Sequence, residues 1–235
     1  MNLKEYPLKD VRLSQLLEAG INVVDFVCFA PGQLDEEGLR AFFEKYKKIS
    51  CRHFHADEST HFKCPVKYEQ TDWEVIVAFC RENNKKFYTL CNQAVALEDS
   101  TFAGNILFHQ GDRSYTIEYF EGYGTPRDIE KKSQSEIKVF ERVFGEPITE
   151  DAPEALKQLA AKLSAFRSLT SVRPLVMEFS IYPYPIGKNQ VNYVCWEWRR
   201  GWLHYPLERI VILEARIKEL EAILEENGLG KAKTA

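Results

Sequence analysis

The chain lacks a long apolar run, a CxxC pair and an excess of either charge, and each absence removes a class of function. Its longest apolar segments, such as INVVDFVCFA, are short and interrupted, too short to span a bilayer. The opening MNLKEYPLKDVR has no apolar core after a basic start, so no signal peptide is expected. The six cysteines (Cys28, Cys51, Cys64, Cys80, Cys91, Cys195) are scattered. Without an export signal they read as reduced, mostly buried thiols of a soluble cytoplasmic protein. A formal charge of -4 gives no global pull toward nucleic acid or an anionic membrane. There is no GxSxG, no repeat and no low-complexity tract.

What the chain does have is core material. Of its 235 residues 45% are apolar and 13% aromatic, enough for one sizeable domain or a domain with an appendage. Leu8 to Ala19 has helical periodicity with Gly20 placed to end it. The β-rich run INVVDFVCF follows, then a turn at Pro31-Gly32 and a helix over DEEGLRAFFEKY, whose early acids suit the helix dipole. Residues 49–56 alternate as a strand, with Ile49, Cys51, His53 and His55 on one face and Ser50, Arg52 and Phe54 on the other. TDWEVIVAFCRE fits either a strand or a helix, with helix the preferred reading. FYTLCNQAVAL, FAGNILFHQ and SYTIEYFEG read as three strands, and GTPRDIEKKSQS as a loop. Ala152 to Phe166 reads as a helix, and LVMEFSIYPY and NQVNYVCWEWRR as an antiparallel hairpin. From Pro206 to Asn227 a heptad pattern (Ile210, Leu213, Ile217, Leu220, Leu224) predicts a C-terminal helix that either packs on the domain or pairs with a second copy. The expected division is a domain over 1–203, a helix over 204–228 and a frayed tail over 229–235.

Residues 49–64, ISCRHFHADESTHFKC, concentrate chemistry: three histidines, two cysteines, an arginine and an Asp-Glu pair. His53 and His55, both beside Cys51 on one strand face, stand about 6.5–7 Å apart by strand rise, a spacing that suits one Zn²⁺ or Fe²⁺. Glu58, His61 or Cys64 could complete that site. Alternatively these histidines line a cleft or pack half-buried, and Cys51 is core. Arg52 is a planar fork suited to phosphate; otherwise it pairs with Asp57 or Glu58 or is solvated. WEWRRGWLHY could stack on bases, although alternating tryptophans in a strand more often pack a core.

The order helix, β-run, helix, Arg-bearing strand, Gln-bearing strand, Gly-containing strand and acidic hairpin resembles the nucleotide-binding domain of phosphoenolpyruvate synthase and pyruvate phosphate dikinase, a branch of the ATP-grasp superfamily. KDVRLSQLLEAGINVVDFVCF is similar to the family's opening, with Lys9 and Gly20 in place. CRHFHADES resembles its Arg-Ser-Ser-Ala-x-x-Glu-Asp motif, with Arg52 at the phosphate-binding arginine and His53 and Phe54 where serines stand. YTLCNQAVALEDSTFAGNILF resembles its hinge and the following strand: Gln93, Ala94 and Val95 would offer backbone groups to adenine, and Ser100 and Gly104 fall in the next segment. VMEFSIYPYPIGKNQVNYVCWEWR resembles its closing hairpin, with Glu178 and Glu197 as magnesium ligands and Arg199 as the trailing arginine.

The resemblance implies an α+β fold of two mainly antiparallel sheets with packed helices and a C-terminal helix. It implies Mg-ATP as cofactor, Lys9, Arg52 and Arg199 on the nucleotide, and Arg52 and Glu197 as the residues closest to chemistry. The reaction class would be phosphoryl transfer or ligation to a small-molecule or protein acceptor. The chain departs from the family between Glu58 and Glu74, where HFKCPVKYEQ replaces a glycine-rich phosphate loop and offers only Lys63 and Lys67. Two alternatives stand beside this reading: a non-catalytic ATP-grasp-like binding or assembly module, and a metal-dependent enzyme built on His53 and His55.

Overall fold

Helix α1 (Lys9–Glu18) stops where glycine permits a left-handed residue: Gly20 takes φ +73°. The amides of Gly20 and Ile21 fold back on the carbonyls of Leu17 and Leu16, both at 2.9 Å, closing the helix end. Helix α2 (Glu36–Tyr46) starts at Asp35, whose carboxylate accepts from the Gly38 amide at 3.0 Å. Asp72 does the same for α3 (Trp73–Asn84), accepting from the amides of Glu74 and Val75. That side-chain cap is why TDWEVIVAFCRE becomes helix rather than strand. Helix α4 (Glu154–Lys162) runs into a 3₁₀ turn, Leu163–Phe166. The computed structural model describes residues 8–56, 64–108, 113–125, 128–129, 132, 136–148, 151–166 and 175–200. Apart from Arg200 these belong to one unit, Met1–Arg199; the expected C-terminal helix and tail, with the second unit's other residues, lie outside the described residues.

Strands β1 (Phe26–Phe29), β2 (Ile49–Phe54), β3 (Val66–Gln70) and β4 (Tyr88–Gln93) form a sheet of order β1-β4-β2-β3, each neighbouring pair antiparallel. Strands β5 (Phe102–Phe108), β6 (Ser114–Glu121), β7 (Ile137–Val143), β8 (Leu175–Ile186) and β9 (Val191–Arg200) form a second sheet of order β7-β6-β5-β8-β9. The two-sheet α+β architecture matches the expectation. Strands β3 and β7 are the elements the sequence reading did not anticipate, and β7 is the longer. It lies at a sheet edge, and only Ile137, Phe140 and Arg142 are partly covered, so it carries no clean apolar alternation.

Alternation sorts the core. One face of the first sheet puts Phe29, Ile49, Cys51 and Cys91 against Leu39, Phe42, Ile76 and Cys80 of α2 and α3. Its other face contributes Phe54 and Leu90 to a larger cluster with Leu13 and Leu16 of α1, Leu156 and Leu159 of α4, and Ile106, Ile117, Met177 and Phe179 of the second sheet. The opposite face of the second sheet is polar at its centre, where Glu118, Asn105 and Glu178 lie in register across β6, β5 and β8. Two glycines are required by close approach. A Cβ at Gly104 would stand 2.1 Å from the Glu118 carbonyl oxygen, and one at Gly187 would stand 2.6 Å from both Asn22 Nδ2 and the Val23 carbonyl oxygen. Asn22 itself ties the chain after α1 to the β8–β9 hairpin, donating to the carbonyls of Ile186 and Tyr193 at 2.8 and 2.6 Å. Among the described residues no helix is long and apolar enough to cross a membrane.

Candidate functional site

The first residues of α1, the middle of β2 and the end of β9 meet at one cluster of charge. Lys9 and Glu197 form a buried ion pair, and both side chains are about nine-tenths covered. Arg52 on β2 and Arg12 on α1 act electrostatically on both. Burial, reinforced by Arg52 and Arg12 and opposed by Glu197, lowers the Lys9 ammonium to about 8. Burial works against ionising Glu197, but Lys9, Arg12 and Arg52 together outweigh it and hold the carboxyl below the usual range. Trp198 anchors this corner by donating its indole N–H to the Arg12 carbonyl at 3.2 Å. Three of the residues singled out from the sequence, Lys9, Arg52 and Glu197, are thus brought together. Arg12 is a fourth member that sequence reading missed.

Glu178 has different neighbours. It stands opposite Asn105, which in turn stands opposite Glu118, so the three side chains lie on one sheet face at cross-strand spacings of about 4.5–5.5 Å. All three are buried, and neither polar atom of the Asn105 side chain has a hydrogen-bond partner. Burial raises the Glu118 carboxyl to about 7. A single acid or amide inside the apolar strands FAGNILF and SYTIEYFE was the available signal for Asn105 and Glu118. Glu178 shares its row with Asn105 and Glu118, and Glu197 shares its corner with Lys9.

Gln93, Ala94 and Val95 sit where β4 ends. The Gln93 amide donates to the Asp25 carbonyl at 2.9 Å and the Ala94 amide to the Lys48 carbonyl at 3.2 Å. The Gln93 carbonyl accepts from the Asn92 side chain at 2.9 Å. Val95 is packed with Val24, Tyr182, Ile186 and Val194. The amides of Gln93 and Ala94 and the Gln93 carbonyl are thus engaged within the chain. Arg199 lies on β9, with its side chain outside the described residues.

The histidine strand packs rather than opens. The His53 ring meets Phe79 edge-on with centroids 4.7 Å apart, and the His55 ring meets Phe87 likewise at 4.6 Å. His53 is buried, which pushes its pKa down and keeps the imidazole neutral. Glu58 and His61, once candidates to complete a site here, lie outside the described residues.

No protein-family model and no curated protein sequence matches the chain. Solved structures do. D-alanyl-alanine synthetase A from Vibrio cholerae superposes with a TM-score of 0.53 at 14% identity, covering 85% of this chain and 56% of that one. D-cycloserine synthetase DcsG gives 0.51 at 13% identity, covering 82% and 62%. A RimK domain protein of ATP-grasp type from Sphaerobacter thermophilus gives 0.47 at 16%, covering 85% and 61%. The fold is ATP-grasp-like.

The chain spans less than two thirds of the length of each of these structures. The particular branch expected from the sequence, phosphoenolpyruvate synthase and pyruvate phosphate dikinase, is not among the three.

Proposed function

We propose that this chain binds Mg-ATP as an ATP-grasp module of ligase type. The observation that carries the reading is the charge imbalance at the corner: Lys9, Arg12 and Arg52 converge on Glu197, and the Lys9 ammonium is still lowered to about 8. Like charges gathered in a partly dry site are stabilised by an anion. A polyphosphate supplies several negative oxygens there, and the planar guanidinium of Arg52 suits them.

Mg²⁺ would be held by Glu178 and Glu197, each from its own side, with phosphate oxygens completing the shell, as this ion prefers one or two carboxylates plus phosphate and water. The orphaned Asn105 side chain beside Glu178 fits such a group, because its amide oxygen or N–H gains a partner once the row is occupied. Adenine would lie against the segment after Gln93, read through the Ala94 carbonyl and the groups at Val95. Arg199 would extend the cationic surface along β9. When bound, the metal and nucleotide supply an activated phosphoryl group. The protein's part is to position it and neutralise its charge, with Arg52 and Glu197 nearest the transferred group. That two matched proteins are named synthetases supports ligation over simple kinase chemistry. The acceptor would be a small molecule or a protein, the setting cytoplasmic, and the phosphoenolpyruvate-synthase branch one origin for the module.

A second reading, a binding or assembly module that keeps the fold without turnover, is favoured by one specific observation: no glycine occurs between Gly38 and Gly104, so a flexible glycine-rich loop over the phosphates is lacking. The C-terminal helix expected from the heptad pattern would then serve contact with a second copy. Equilibrium dialysis of labelled ATP with and without Mg²⁺ separates the outcomes. The Mg-ATP reading expects retention that requires Mg²⁺ and falls at least tenfold in Glu178→Gln. Retention of nothing in either condition would leave only the assembly module.

A further inference from the structure

Beneath the first sheet, on the face turned away from Arg52, three thiols from three elements come together. Cys51 on β2 and Cys91 on β4 are directly opposite in the antiparallel register, and Cys80 reaches them from α3. The sulfurs of Cys51 and Cys91 are 3.4 Å apart, those of Cys80 and Cys91 3.9 Å, and all three lie within 4.8 Å of one another. All three are fully buried, and none is in a disulfide. A tetrahedral Zn²⁺ with sulfur ligands at about 2.3 Å requires sulfurs about 3.8 Å apart. The separations of 3.4 and 3.9 Å bracket that value.

His53 supplies the independent observation. It lies two residues from Cys51 on the same strand face, is 1% exposed, and acts electrostatically on Cys80. Its Nδ1 is 3.3 Å from the Pro65 carbonyl oxygen, while its buried Nε2 has no hydrogen-bond partner. An imidazole donating Nδ1–H to a backbone carbonyl presents a lone pair on Nε2, the arrangement that metal-ligating histidines adopt. A buried ring nitrogen without a partner is otherwise an uncompensated cost.

We propose that Cys51, Cys80 and Cys91 form a buried trithiolate site for Zn²⁺, with His53 Nε2 swinging in as the fourth ligand. Three thiolates and an imidazole select a soft or borderline ion over Mg²⁺. The site differs from the His53–His55 pairing suggested by the sequence in taking two of its ligands from elsewhere in the chain. Four protein ligands leave no open position, so the role is structural: the ion clamps α3 to β2 and β4, behind the strand that carries Arg52. It is independent of nucleotide binding.

The test is anaerobic titration of the reduced, metal-free full-length protein with Co²⁺, which takes the place of Zn²⁺ and reports its ligands. One equivalent is expected to give thiolate-to-cobalt charge-transfer absorption and the visible bands of a four-coordinate ion, and Zn²⁺ is expected to bleach both. Cys64→Ser keeps every signal, Cys80→Ser loses the charge-transfer band, and His53→Gln keeps that band while the visible bands change. Should Cys80→Ser fail to fold, alkylation of wild type decides: one equivalent of Zn²⁺ must slow modification of Cys51, Cys80 and Cys91 at least tenfold while Cys64 is unaffected. A wild type that shows no charge-transfer band, a band that survives in Cys80→Ser, or protein that carries a Cys51–Cys91 disulfide in place of metal overturns the proposal.

Discussion

Lys9, at the start of the first helix, is ion-paired with Glu197, near the end of the last strand, across 188 positions of sequence. The pair joins two ends of the unit and is buried, so its members are unequal in what their loss costs. Lys9→Met leaves Glu197 with Arg12 and Arg52 still acting on it. Glu197→Gln leaves Lys9, Arg12 and Arg52 pressing on one another. Removing one partner of a buried pair costs about 3–5 kcal/mol when the other charge is left uncompensated. Glu197→Gln is expected to reach that range and Lys9→Met to fall below it, read from urea unfolding at pH 7.

The same pair makes nucleotide affinity depend on pH. Lys9 loses its proton near pH 8 in the free protein, and only the charged ammonium attracts phosphate. Affinity for Mg-ATP is therefore expected to be full below that pH and to fall above it. In Lys9→Arg, whose guanidinium stays charged, the fall should vanish. Titrations at pH 7 and pH 9 on both proteins check this; equal slopes would remove Lys9 from the phosphate site.

Glu118 gives a stability signature of opposite origin. Burial raises its carboxyl from 4.5 to about 7, so between these values the folded state holds a proton that the unfolded chain has lost. Stability should decline as pH rises through that window and level off above it. The decline is on the order of 3 kcal/mol. Glu118→Gln, which stays neutral, should flatten this part of the profile in thermal melts across the same range.

Gly104 is the sharpest steric test of the second sheet. A methyl group there meets the backbone of Glu118, not a flexible side chain. Gly104→Ala is expected to cost about 3 kcal/mol, the upper part of the range for overpacking, seen as a lower urea midpoint at unchanged slope.

Much of the fold was legible because its signals are local. Asp35 and Asp72 cap helices within their own turn, Gly20 ends one, and period-2 alternation put Cys51 and Arg52 on opposite faces of β2. Strand β7 was illegible because an edge strand needs no apolar stripe; its place comes from pairing with β6. In the site, Lys9, Arg52 and Glu197 could be named from their resemblance to a family pattern. Arg12, Asn105 and Glu118 could not, since their importance arises from neighbours distant in sequence: the register of β5 with β6 and β8, and the seat of α1 beside β9. The thiol trio is the same case, as Cys80 and Cys91 gain meaning only once α3 lies over β2 and β4.

The central claim is that the corner formed by Lys9, Arg52 and Glu197 receives the phosphates of Mg-ATP. Calorimetric titration of metal-free protein with ATP plus Mg²⁺, repeated on Arg52→Ala and Glu197→Gln, tests it most directly. The account predicts micromolar binding by wild type, weakened at least tenfold, about 1.4 kcal/mol, by each substitution. Wild-type binding that both substitutions leave unchanged, or no binding at all, would contradict it.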